Sequence, residues 1–180
     1  MGILLGFAPF VAFAVAATLW GGMIGLMAGA VISAALVMRE LLRKHPPKIL
    51  EIGTFLMFAG LFAWSKLFPS DLSVLGVRFR VDLGLLCVIL VSLVIGKPFT
   101  LQYARERVSA ERATSSQFAK INFVITSVWA LAFVCIVIAD VLMAYVPTVP
   151  IRVGIVVTVL ALVGAYKFTG WYPKRVTQPK

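Results

Sequence analysis

Residues 121–145 read INFVITSVWALAFVCIVIADVLMAY, and nineteen of them pass without a charge before Asp140 interrupts the run. In a helix, nineteen residues measure about 28 Å at 1.5 Å each, close to the roughly 30 Å hydrocarbon core of a bilayer. A helix of this length at the surface of a water-soluble protein carries a polar face, and this stretch has none. It therefore predicts a membrane-spanning helix and sets the solvent in which the rest of the chain is read.

The remainder repeats the pattern. Hydrophobic residues make up 61% of the 180, and the mean hydropathy is +1.01. That is too apolar for a soluble domain and too short for several domains, so residues 1–180 read as one integral membrane domain. Six apolar segments are expected, over residues 3–19, 22–38, 49–68, 81–96, 121–145 and 151–166. The fold class is thus all-α, a polytopic membrane helix bundle. Residues 1–38 carry no charged side chain, and one helix of that length would measure about 57 Å, nearly twice the hydrocarbon thickness. A break is predicted at Trp20-Gly21-Gly22, where an interfacial aromatic precedes two residues that turn at little cost. One kinked helix over this stretch is the alternative and reduces the count to five. No basic region opens the chain, and the apolar run continues past the Ala-rich residues 12–17, so it reads as a retained span and not a cleaved signal.

Charge fixes the orientation. Of the 17 Lys and Arg residues, thirteen fall in three clusters: Arg39, Arg43, Lys44 and Lys48; Lys97, Arg105, Arg107, Arg112 and Lys120; and Lys167, Lys174, Arg175 and Lys180. Only Lys66, Arg78, Arg80 and Arg152 lie elsewhere. The positive-inside rule places the three clusters, including the C-terminus, in the cytoplasm. A net charge of +10 spread between apolar spans points to the anionic lipid of the inner leaflet and away from nucleic acid.

The linkers are short. His45-Pro46-Pro47 ends one helix and forces a restart near residue 49. Glu51 and Lys66 sit near opposite ends of the third span, where both can snorkel to an interface. Val77-Arg78-Phe79-Arg80-Val81, in the exterior segment of residues 69–80, alternates with period 2 and suits an extended strip on the membrane surface or an exposed loop. Lys97-Pro98 marks a kink or stop. Beyond it, Leu101, Ala104 and Val108 fall opposite Arg105, Glu106, Arg107 and Glu111, as in an amphipathic helix on the inner leaflet or a cytoplasmic extension of the fourth helix. A short turn over residues 147–150 joins the last two spans, and Tyr166, Trp171 and Tyr172 anchor the end of the final one.

Three sets of residues are candidates for function. Gly21, Gly25, Gly29 and Ser33 recur every four residues and form a small-residue stripe suited to close helix packing, within the chain or against another subunit, including a second copy. Asp82 and Asp140 lie toward the exterior ends of their spans, near Lys66, Arg78, Arg80 and Arg152, as ion pairs or as an outward-facing vestibule. Cys87 and Cys135 lie in apolar spans and are expected to be buried and inert. His45 reads as a solvated loop residue. The midplane offers only Ser92, Thr126, Ser127 and Thr158, each able to bond its own helix. No Ser/His/Asp, paired-carboxylate, phosphate-loop or zinc arrangement occurs, so neither catalytic residues nor a metal or cofactor site is expected.

Arg78-Phe79-Arg80-Val81 leading into a span, Gly96-Lys97-Pro98-Phe99 closing it, and Asn122 and Trp129 opening the next resemble the motifs of the intracellular septation protein A family. The resemblance extends over most of the chain in the order and lengths of the spans. It implies a small bacterial inner-membrane protein with five or six spans, tied to cell division and envelope integrity through contacts with other membrane proteins, and it supplies no catalytic residues. The expectation is thus a non-enzymatic membrane protein, septation-related or an accessory subunit of a larger complex, acting through the Gly21/Gly25/Gly29 stripe and the basic loop of residues 105–112. The alternative is a small transporter or channel whose vestibule is Arg80, Asp82 and Asp140; a membrane enzyme ranks third.

Overall fold

The computed structural model describes residues 2–68, 73–146 and 148–177. Residues 69–72 of the expected exterior segment, Pro147 of the expected turn and Lys180 of the basic tail lie outside them. Among the described residues the chain is all-helical: α1 (Gly2–Gly6), α2 (Ala8–Trp20), α3 (Gly22–Leu42), α4 (Ile49–Leu67), α5 (Val74–Val94), α6 (Phe99–Arg105), α7 (Ala110–Ala113), α8 (Ser116–Tyr145) and α9 (Ile151–Thr177). Four of these, α3, α4, α8 and α9, are long and apolar enough to cross a membrane, or five if α5 and α6, which meet at a bend, count as one. The first expected segment appears as α1 and the 13-residue α2, so six spans are not reached by length. The chain divides into two compact units, Met1–Val88 and Ile89–Lys180.

In the first unit the chain turns at Gly21, whose φ of 94° and ψ of 162° belong to glycine alone. The turn folds α2 back on α3, so that Ala17 and Gly25, four residues to either side, face one another. α3 then ends in a second reversal. Lys44 takes φ 56°, the His45 N–H donates to the Glu40 carbonyl, and the Lys44 N–H donates to that of Leu41, both at 3.0 Å. This is a Schellman termination with lysine in the place glycine usually holds. Pro46 and Pro47 prevent a restart until α4. Phe13, Ala17, Leu26, Phe58, Val77 and Val81 form the buried centre, with the Phe58 ring 5.3 Å from Phe10 and 5.6 Å from Phe13.

Val77-Arg78-Phe79-Arg80-Val81 is helical, neither extended nor loop. The Ser73 hydroxyl accepts from the Gly76 N–H at 3.1 Å and starts α5 as an N-cap. Val77 and Val81, both 2% exposed, then share one helical face, and Arg78 pairs with Asp82 four residues on at 3.6 Å.

The second unit begins with the last turn of α5. Gly96, at φ 69°, closes another Schellman motif in which the Lys97 N–H bonds the Ser92 carbonyl and the Gly96 N–H that of Leu93, each at 3.0 Å. Pro98 then caps α6, a seven-residue helix with Phe99, Thr100, Leu101 and Tyr103 buried. The helix stops at Arg105, leaving Val108 outside it, so residues 101–111 form neither one amphipathic helix nor an extension of α5. The Ser115 hydroxyl accepts from the Phe118 N–H at 3.2 Å and starts α8. α9 runs on to Thr177, well past the expected end at residue 166.

Cys87 and Cys135 are exposed on helix surfaces, not buried. Apolar neighbours in sequence give a cysteine's depth along a span but not the face it occupies. On α8 the buried face holds Ile125, Trp129, Phe133 and Ile136, and Cys135 lies away from it.

Candidate functional site

Two constellations gather polar side chains inside these units. At the α3–α4 turn, Glu40 and Glu51 are each 2% exposed, and Lys48 is 6% exposed. The Lys48 Nζ stands 3.3 Å from Glu40 Oε2 and 3.7 Å from Glu51 Oε1, and its backbone N–H donates to Glu51 Oε2 at 3.3 Å. Arg39 closes the group: its Nη2 is 2.6 Å from Glu40 Oε1 and 3.9 Å from Glu51 Oε1. His45 Nδ1 lies 4.0 Å from Glu40 Oε2. Two carboxylates are thus balanced by one lysine and one arginine in a site nearly closed to solvent, where desolvation makes each charge depend on its partners. Glu51 does not snorkel to an interface. As the third residue of α4 it caps that helix and is held inside by Lys48, while Lys66 is exposed in the last turn.

The second constellation is the elbow of the second unit. The Phe99 N–H donates to Ser92 Oγ at 3.3 Å, and that hydroxyl donates to the Ile89 carbonyl at 2.7 Å. Thr100 Oγ1 donates to the Asn122 carbonyl at 3.0 Å and lies 2.7 Å from Thr126 Oγ1. Asn122 Nδ2 donates to the Phe118 carbonyl at 2.9 Å. The Phe99 ring meets Trp129 edge-on at 6.3 Å, and Trp129 Nε1 donates to Thr169 Oγ1 of α9 at 3.0 Å. Pro98, Asn122 and Trp129 therefore converge on one buried place, while Lys97 is exposed beside it.

The remaining candidates divide between the two units. Gly25, Gly29 and Ser33 are buried. A Cβ on Gly25 would stand 2.7 Å from that of Ala17, and one on Gly29 would stand 2.6 Å from the Phe58 ring. The Ser33 hydroxyl bonds its own helix at the Gly29 carbonyl, 2.8 Å away. The stripe from Gly25 to Ser33 is thus covered from within the chain. Arg78 and Asp82 pair as described, Arg80 Nη1 donates to the Gly76 carbonyl at 3.1 Å, and Arg152 is exposed. Asp140 is wholly buried in α8.

The Glu40–Lys48–Glu51 group escaped the sequence reading because the partners are separated by a turn whose geometry is not local. One signal existed: Glu40 and Glu51 are the only acidic residues in the first seventy, and they flank the predicted His45-Pro46-Pro47 reversal. No protein-family model, curated protein or solved structure matches the chain.

Proposed function

We propose that the chain is a non-enzymatic multi-pass protein of the bacterial cytoplasmic membrane that works by holding other membrane proteins, in the manner of the septation-related family it resembles. Its basic turns and C-terminus face the cytoplasm. The observation that carries this reading is the elbow. Pro98, Asn122 and Trp129, three of the residues on which the resemblance rests, lie 24 or more positions apart across the Pro98–Asn122 gap and still meet in one clamp. There the hydroxyls of Ser92, Thr100 and Thr126 and the Trp129 N–H all bond within the chain. A clamp with its polar groups engaged is architecture that shapes a docking surface, whereas a reaction centre keeps groups free for substrate. With Gly25 and Gly29 covered by Ala17 and Phe58, the partner-facing surface is assigned to the exposed basic segment of residues 105–112. Mild-detergent purification of the tagged full chain from its native membrane, with mass spectrometric identification of what accompanies it, should recover a defined set of membrane proteins, and Arg105→Gln/Arg107→Gln should lose them. Recovery of the chain alone from both would sink the proposal.

Transport is the second reading, favoured by Asp140: a carboxylate with no exposure in a long apolar helix able to cross a membrane is the kind of residue that marks ion pathways. Flux into vesicles reconstituted with the chain, abolished by Asp140→Asn, would establish it.

A further inference from the structure

Lys48 and Arg39 hold both carboxylates of the α3–α4 hairpin on its inner side, and this leaves the turn itself without negative charge. Arg43, Lys44 and His45 follow one another along it, all exposed. Among the described residues neither Arg43 nor Lys44 makes an ion pair. Immediately before them in the last turn of α3, Leu41 is 53% and Leu42 77% exposed. Cations and bare leucines thus stand side by side. A soluble anion or a nucleic acid would engage the first alone, whereas a phospholipid carries an anionic head and an apolar tail a few ångströms apart and meets both. The other basic segment lacks this character: Arg105, Arg107 and Arg112 are interleaved with exposed Glu106 and Glu111, which cancel much of their field.

We infer that the α3–α4 turn is a binding site for an anionic phospholipid, with Arg43 and Lys44 at the headgroup phosphate and Leu41 and Leu42 against the acyl chains. The site rests on the membrane-spanning reading given above. The buried ion group is what permits it: with Glu40 and Glu51 turned outward, the turn would be nearly neutral.

The full-length chain in neutral detergent, titrated with phosphatidylglycerol or phosphatidylcholine and read by native mass spectrometry, tests the site. Arg43→Gln/Lys44→Gln should weaken phosphatidylglycerol binding about thirtyfold, at roughly fivefold per cation, and weaken phosphatidylcholine, whose phosphate is offset by its own choline cation, far less. The charge-keeping exchange Arg43→Lys/Lys44→Arg should retain it, and Arg105→Gln/Arg107→Gln should stay within about twofold of the parent. Equal losses in the two Gln pairs, or none in the first, would overturn the site, and displacement of the lipid by equimolar inorganic phosphate would overturn the choice of ligand. Release of the chain from membranes by an alkaline carbonate wash would overturn the membrane reading itself, whatever the lipid result.

Discussion

Alanine at position 25 adds a single methyl group where two helix backbones meet. Its Cβ would stand 2.7 Å from the Ala17 Cβ and 3.0 Å from the Ala17 Cα and N. Carbon atoms pack at about 3.5 Å or more, so α2 and α3 must separate by about 0.8 Å. No side-chain rotation relieves this, because the atoms struck include main chain and the Cβ of an alanine. Overpacking of this kind costs about 1–3 kcal/mol. Gly60 is the internal control: it lies in α4, with nothing within 4 Å of an added Cβ. Gly60→Ala should be neutral or gain up to about 1 kcal/mol from helix propensity. Both glycines are helical, so any propensity gain is common to the two and cancels, and they are predicted to differ by the overpacking cost of about 1–3 kcal/mol. Denaturant titration of the purified chain in micelles, followed by circular dichroism, measures the difference. A Gly25→Ala protein as stable as Gly60→Ala would refute the close approach of α2 and α3.

Three further outcomes are expected. Lys48→Met removes the cation between two buried carboxylates and should cost about 3–5 kcal/mol in the same titration, with Glu40→Gln/Lys48→Met recovering part of the loss; an unchanged midpoint would mean the group is solvated. Thr126→Val keeps the shape but removes the Thr100–Thr126 contact, and should cost about 0.5–1.5 kcal/mol and speed amide exchange around Phe99. Cys87 and Cys135, both exposed on helix surfaces, should resist a charged maleimide in membranes, where hydrocarbon disfavours the thiolate, and react with it once the chain is unfolded in detergent; labelling of either in intact membranes would show that its helix face meets water.

The all-helical class and the position of α8 were legible because a long uncharged run has few alternatives in lipid. A break within residues 1–38 was legible from their length, and Trp20-Gly21-Gly22 marked its place, while a turn and a kink remained alternatives until α2 was seen to fold back on α3. Elsewhere the deciding contacts lie outside the local stretch of sequence. Five residues at positions 77–81 fit a period of 2, but Ser73, which caps α5, lies four residues upstream, and the Arg78–Asp82 pair needs the helix in order to exist. Glu40 and Glu51 look like interfacial charges until the α3–α4 reversal brings Lys48 between them. The elbow was half legible: Gly96 and Pro98 announce a stop, yet nothing local says that Thr100 will reach Thr126. The faces occupied by Cys87 and Cys135 follow from which side of each helix finds neighbours, a property of the assembled unit.

The bend at Gly21 also decides a matter of parity. With the turn, the first two helices run out and back, and Leu4 lies at the same end of the hairpin as Leu42. Without it, α2 and α3 would form one continuous helix and Leu4 would lie at the end opposite Leu42. Under the orientation proposed above, this one residue without a side chain therefore puts the start of α2 and the end of α3 on the same face of the bilayer.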